Sequence, residues 1–150
     1  MQFVRGLTAA RMRYPALRRT RFLTGTYEPD RELKDVTWIS AAGTEIGDED
    51  WKDDTLRTFG MLMGGDASAE ATGSDHGAPL LLMFNAHHEN VAFVIPIAGK
   101  GDEWTMVFDT ARPDVHDERS LRSGKPLEMT AYSFVMLVSN SQKANAAAPG

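Results

Sequence analysis

The chain contains no cysteine among its 150 residues. Disulfide bonds and thiolate metal sites are therefore excluded, and the composition suits a cytoplasmic protein, which is the predicted location. No apolar run approaches the ~18–20 residues needed to span a membrane, and the start has no signal-peptide pattern. We therefore expect no membrane partner.

An excess of positive charge is also missing. The chain carries 16 basic and 21 acidic residues, for a net charge of −5, which argues against general nucleic-acid binding. The charge is unevenly placed, since residues 1–22 hold six arginines and no acid. The N-terminal segment is therefore predicted to have a different role from the remainder.

The N-terminal segment has the spacing of an amphipathic helix. Its apolar side chains fall at intervals of three and four residues, at Phe3, Leu7, Ala10, Tyr14 and Leu17. Pro15 should end or kink this helix near Tyr14. The favoured interpretation is a helix packed on neighbouring protein; an anionic membrane or nucleic-acid surface is the alternative. Since the apolar pattern begins at Phe3, the segment is expected to be part of a longer polypeptide.

Most of the remaining chain predicts short strands. Residues 80–84 and 91–95 are almost wholly apolar, and the polar run between them predicts a hairpin at the centre of the core. Further strands are predicted at residues 36–39, 58–63, 104–108, 126–130 and 132–138. The predicted fold is mainly β: an antiparallel β-sandwich of one domain preceded by one α-helix.

Polar segments separate these strands. Residues 64–79 and 110–125 are predicted to be long loops, and residues 47–54 form an acidic turn or short helical loop around Trp51. The expected organisation is a helix in residues 1–23, a sandwich in 24–139 and a disordered tail in 140–150.

No catalytic or metal-binding motif is recognisable. His87, His88 and Glu89 lack the spacing of a zinc-protease helix, and adjacent side chains on an extended strand point to opposite sides. His76 and His116 have no ligand-spaced neighbours, and residues 48–54 lack the alternating ligands of a calcium loop. Phosphate-binding and dinucleotide-binding glycine motifs are absent. We therefore predict no catalytic residue, no metal and no cofactor in this chain.

The three tryptophans are candidates for stacking on sugars or bases. Trp38 and Trp104 lie in apolar strand patterns and are predicted to pack in the core. Trp51 lies in a polar loop and is therefore the candidate substrate-binding residue.

The order of several segments resembles bacterial glycogen debranching enzymes of the isoamylase type, in the α-amylase superfamily of glycoside hydrolases. The resemblance covers residues 3–138 and is carried by Tyr14-Pro15-Ala16-Leu17, Val36-Thr37-Trp38, Asp48-Glu49-Asp50-Trp51, Asn85-Ala86-His87-His88-Glu89 and Phe93-Val94-Ile95-Pro96. It implies a C-terminal β-sandwich packed on a catalytic (β/α)₈ barrel of the same polypeptide, with residues 1–23 as the last barrel helix.

This resemblance implies a role in hydrolysing α-1,6 branch linkages of glycogen. In such barrels the active site lies at the C-terminal ends of the strands, upstream of the last helix. The retaining mechanism needs two carboxylates about 5–5.5 Å apart, and no residue here matches the family's catalytic motifs. The chain alone is therefore expected to be inactive and to stabilise the barrel. The alternative is an α-glucan-binding module that uses exposed aromatic residues such as Trp51.

Overall fold

A computed structural model describes residues 2–19, 21–27, 33–65, 77–98, 102–114 and 119–140. No helix in these ranges is long and apolar enough to cross a membrane. The helical elements are α1 (Gln2–Arg13) and two 3₁₀ helices, η1 (Pro15–Arg18) and η2 (Asp50–Lys52). The strands are β1 (Val36–Ser40), β2 (Thr58–Met63), β3 (Leu80–Asn85), β4 (Val91–Val94), β5 (Glu103–Asp109), β6 (Ser120–Arg122), β7 (Pro126–Met129) and β8 (Ser133–Ser139).

The strands form two antiparallel sheets. The large sheet has the order β1-β2-β3-β8-β5-β6, and the small sheet pairs β4 with β7. The prediction of a mainly antiparallel β fold preceded by one helix is confirmed. Strand β6 lies within residues 110–125, which were predicted to be a loop, because three residues carry too little alternation to be recognised.

The predicted hairpin between the two apolar runs of residues 80–96 is wrong. Strand β3 pairs with β2 on one edge and with β8 on the other, so neither edge remains for β4. Strand β4 instead crosses to the small sheet and pairs with β7. The turn after β3 is therefore a connection between sheets.

Strand β3 is apolar on both sides, so both faces of the large sheet must be covered. Leu81 and Met83 point to the face covered by the small sheet, which we call the inner face. Leu80 and Leu82 point to the opposite, outer face. All four side chains are at most 6% exposed. A strand buried on both faces reads as a continuous apolar run, which explains this part of the sequence.

The inner core joins the two sheets. Phe93 and Ile95 from the small-sheet side and Trp104 from β5 are almost fully buried in it. Trp104 also donates a hydrogen bond from Nε1 to Ser123 Oγ at 3.0 Å. The prediction that Trp104 packs in the core is confirmed.

The outer face is covered in part by the N-terminal segment. Tyr14 and Ala16 are buried against Leu80, Leu82 and Met136. Helix α1 ends at Arg13, as predicted, because the residue before Pro15 is forced to extended geometry, with φ −107° and ψ 103° at Tyr14. This geometry turns the Tyr14 ring onto the sheet.

Asp35 fastens the chain after this segment to the start of β1. Its carboxylate accepts backbone hydrogen bonds from Thr24 (2.7 Å), Gly25 (2.8 Å) and Val36 (2.7 Å), and a fourth bond from the Thr24 hydroxyl. Burial raises the pKa of this carboxyl, but the hydrogen bonds outweigh burial and hold the pKa below its ordinary value. Asp35 thus remains ionised and serves as a structural anchor.

Several predictions fall outside the described residues. They are most of the loop at residues 64–79, the tail beyond residue 140, and the surroundings of His76 and His116. They stay predictions.

Gly60 tests the packing of the two sheets. A Cβ atom at this position would lie 2.9 Å from Phe93 Cζ and 3.4 Å from Leu81 Cδ1. Because Phe93 is fully buried in the inner core, a shift of its ring would disturb the side chains packed around it. We expect Gly60→Ala to lower the free energy of unfolding by about 1–3 kcal/mol in urea denaturation.

Gly6 of α1 supplies the matched control. A Cβ there would meet Phe108 Cε2 at 4.0 Å, an ordinary contact. Gly6→Ala should therefore raise stability by about 0.5–1 kcal/mol through helix propensity. Equal effects of the two substitutions would contradict the proposed packing of Phe93 on Gly60.

Candidate functional site

Aromatic side chains run across the outer face of the large sheet from the edge strand β1 to β5, which lies next to the other edge strand, β6. Strand register places Phe59, Phe84 and Phe134 side by side on neighbouring strands. Consecutive ring centroids along the row lie 5.0–6.3 Å apart. The members of this aromatic row are, in order, Trp51, Trp38, Phe59, Phe84, Phe134, Phe108 and Phe3.

The two ends of the row differ in their cover. At the β5 end, α1 lies over the sheet, with Phe3 at 5.1 Å from Phe108 between ring centroids. At the β1 end, Trp38 is 37% exposed and Trp51 is 47% exposed. The prediction that Trp38 packs in the core is wrong, because β1 is the edge strand and its outer face is covered only in part, by Trp51 of η2.

Residues 48–54 surround this exposed end with acidic groups. They comprise five carboxylates and one lysine. The loop is shaped by its own side chains: Asp50 accepts a hydrogen bond from Gly47 N at 2.8 Å, and η2 follows. Hydrogen bonds from the Thr55 hydroxyl and backbone hold the pKa of Asp53 below its usual value. We call Trp38, Trp51, Phe59 and residues 48–54 together the acidic–aromatic patch.

The carboxylates of the patch are not neutralised by the arginine-rich helix. Lys52 pairs with Glu49 at 2.6 Å, and both side chains are well exposed. Among the residues that the structure describes, Asp48 and Asp54 make no ion pair or side-chain hydrogen bond. Helix α1 lies at the β5 end of the sheet, on the far side of the aromatic row. The patch therefore keeps an excess of negative charge.

The predicted packing face of the N-terminal helix lies on the chain's own sheet. Ala10, Tyr14 and Leu17 pack in the outer core, while Phe3 and Leu7 remain 38% and 39% exposed at its margin. Apolar side chains also point away from the sheet, with Val4 59% and Met12 65% exposed. Arg18 closes the helix by donating to the carbonyls of Arg11 (2.9 Å) and Met12 (3.1 Å).

The turn after β3 is organised by the buried amide of Asn85. Its Oδ1 accepts hydrogen bonds from His87 N and the Thr58 hydroxyl, both at 3.0 Å. Its Nδ2 donates to the carbonyls of Glu89 and Thr130, also at 3.0 Å. These bonds bend the backbone sharply and join two neighbouring turns.

This bend brings the two histidines together. The rings of His87 and His88 stack with centroids 4.4 Å apart and planes inclined by 22°. The opposite orientation typical of adjacent side chains on an extended chain is not found here, because both histidines lie in a sharp turn.

His87, His88 and Glu89 form a group whose ligand atoms lie within 4.8 Å of one another. An imidazole nitrogen binds a metal in its own ring plane, about 2.0–2.1 Å from the ion. Two nearly parallel stacked planes do not share such a point. His87 Nδ1 also accepts a hydrogen bond from Glu89 N at 3.1 Å. In this arrangement the group does not fit a shared ion, and the absence of a metal stays a prediction.

Asp35 is the one buried carboxylate among the described residues. Its carboxylate accepts hydrogen bonds from three backbone N–H groups and from the Thr24 hydroxyl, so it is not available as a general acid or base. A retaining glycosidase needs a pair of carboxylates across the scissile bond. The described residues contain no such buried pair.

Sequence reasoning found Trp51 but not its neighbours. The structure adds Trp38, whose ring centroid is 5.6 Å from that of Trp51, and Phe59 at 6.4 Å. The patterns at residues 36–39 and 58–63 predicted two strands. They could not show that the strand face carrying Trp38 is left open at the β1 edge.

Comparison with known proteins is consistent with this architecture. Residues 35–134 match the family model described as isoamylase, C-terminal. The chain is also 34% identical over 146 residues to the glycogen operon protein GlgX homologs of Mycobacterium bovis and Mycobacterium tuberculosis. The alignments cover 91% of this chain and 20% of each relative, so the chain spans about a fifth of the length of these curated relatives. The family model covers most of both sheets, and the chain belongs to the isoamylase C-terminal family.

Proposed function

We propose that this chain is the non-catalytic C-terminal β-sandwich of a cytoplasmic debranching enzyme that hydrolyses α-1,6 linkages in glycogen. The observation that carries the proposal is the family match over residues 35–134. The relatives' name, glycogen operon protein, supports glycogen as the substrate of the whole enzyme. No cofactor or metal is needed for this role.

The sandwich acts by packing on the catalytic barrel of the same polypeptide and stabilising it. In this division, residues 1–23 form the last barrel helix, 24–139 the sandwich and 140–150 a tail. The outward apolar side chains of α1, Val4 and Met12, support a contact on the side of the helix that faces away from the sheet. The helix would then lie between the sandwich and the barrel. Neither nucleic acid nor a membrane has a part in this function.

The second candidate is an α-glucan-binding module. The exposure of Trp51 favours it, since indole rings stack on sugars and Trp38 lies beside it. However, the two indole planes are inclined by 82°, so they do not form one flat platform along a glucan chain. Packing on the barrel is therefore the better supported function.

The chain alone should not hydrolyse glycogen. Purified protein incubated with glycogen should release no reducing ends above a buffer control, because the described residues hold no buried carboxylate pair. A chimera tests the substrate: the M. tuberculosis relative with its matching C-terminal region replaced by this chain should release branch chains. Hydrolysis by the isolated chain, or an inactive chimera beside an active parent relative, would contradict the proposed function.

Calorimetry with maltoheptaose distinguishes the second candidate. If the sandwich only packs on the barrel, titration into the isolated chain should give no binding heat at millimolar ligand. Saturable heat that disappears in Trp51→Ala and persists in Tyr132→Ala, an exposed aromatic control, would establish a glucan-binding module instead.

A further inference from the structure

The acidic–aromatic patch has a chemistry that neither the family match nor sandwich packing explains. It combines two half-exposed indoles with an acidic loop at one edge of the outer face. Aromatic faces and carboxylates together recognise guanidinium and ammonium groups, through cation–π attraction and charge-assisted hydrogen bonds.

We propose that this patch docks an arginine- or lysine-bearing surface of the domain that precedes the sandwich in the longer polypeptide. The inference rests on the proposed function, because it names how the sandwich recognises that domain. It places the contact at the β1 edge, where Trp38, Trp51 and Phe59 lie.

The length of the relatives supports this occupant. The chain matches only 20% of each relative, and its family is defined as C-terminal. The remaining polypeptide therefore largely precedes the matched region. In this chain the N-terminal segment already lies on the outer face, where Tyr14 is buried. A preceding domain would therefore join the sandwich at the β5 end of this face, where Phe3 contacts Phe108, and would extend along the face to reach the patch at the β1 edge.

Charge identifies the kind of surface that fits. Asp48 and Asp54 have no ion-pair partner among the described residues, and residues 48–54 carry five carboxylates against one lysine. A neutral glucan would gain little from this charge, and an acidic surface would be repelled. A guanidinium group can stack on an indole and bond to a carboxylate at once, so one arginine uses both features of the patch.

The chimera with the M. tuberculosis relative provides the test, read by differential scanning calorimetry. Docking couples the sandwich to the preceding domain, so the chimera without further substitutions, called the parent chimera, should unfold in one transition. In the Trp51→Ala chimera the sandwich should unfold in a transition of its own, at least about 5 °C below that of the preceding domain. The double variant Asp48→Asn with Asp54→Asn should do the same, because it removes the charge without removing an indole.

Two controls isolate the patch. Tyr132→Ala removes a 73% exposed aromatic side chain elsewhere, and Asp102→Asn with Glu103→Gln removes two exposed carboxylates at the start of β5, of which Glu103 lies 3.9 Å from Arg122. Both should leave one transition. In the isolated chain, the double amide variant of the patch should shift the melting temperature no more than Asp102→Asn with Glu103→Gln. Should Trp51→Ala unfold the isolated chain, the double amide variant carries the test, since its side chains are exposed.

Salt dependence adds a second readout. Raising the salt from about 0.05 M to 1 M shortens the Debye length to roughly 3 Å. High salt should therefore separate the transitions in the parent chimera and have no further effect in the double amide variant. Two transitions in the parent at low salt, or patch variants that behave like their controls, would overturn the proposal. Saturable Trp51-dependent binding of maltoheptaose would also overturn it. Loss of glycogen hydrolysis with one transition retained would instead contradict the proposed function alone.

Discussion

The structure depends on the burial of β3 on both of its faces. Leu81 and Met83 require an inner layer, which β4 and β7 supply, while Leu80 and Leu82 require an outer layer. Burying a side chain of this size contributes about 1.5–3 kcal/mol relative to exposure. Leaving either face uncovered would therefore offset much of a typical domain's stability. The N-terminal segment is part of the fold for this reason.

The outer layer does not extend across the whole sheet. Tyr14, Ala16 and α1 cover its β3–β8–β5 part, and the aromatic row continues past them to the β1 edge. An exposed aromatic patch of this kind in a soluble protein commonly marks an interaction site. In the proposed enzyme the sandwich follows a catalytic domain, and the patch lies on the same sheet face as the N-terminal segment that would connect the two.

The sequence was sufficient for features that depend on neighbours along the chain. Strands β2, β5 and β8 were predicted from their period-two alternation, and the end of α1 from Pro15, because these signals are local. The pairing of β4 with β7 was not predicted, because it depends on β2 and β8 occupying both edges of β3. The exposure of Trp38 depends on β1 being an edge strand. The turn in which His87 stacks on His88 is held by Asn85, and one of the hydrogen bonds of Asn85 goes to Thr130, which is distant in sequence.

The N-terminal segment covers the outer face and is needed to bury β3 on that side. Urea denaturation of Tyr14→Ala beside Tyr27→Ala tests it directly, because the two tyrosines are 3% and 65% exposed. We expect Tyr14→Ala to lower the free energy of unfolding by about 3–5 kcal/mol, as for other large buried side chains. Tyr27→Ala should cost less than about 1 kcal/mol, since little of the ring is buried. Equal and small losses would contradict the account, because the outer face would then be stable without its cover.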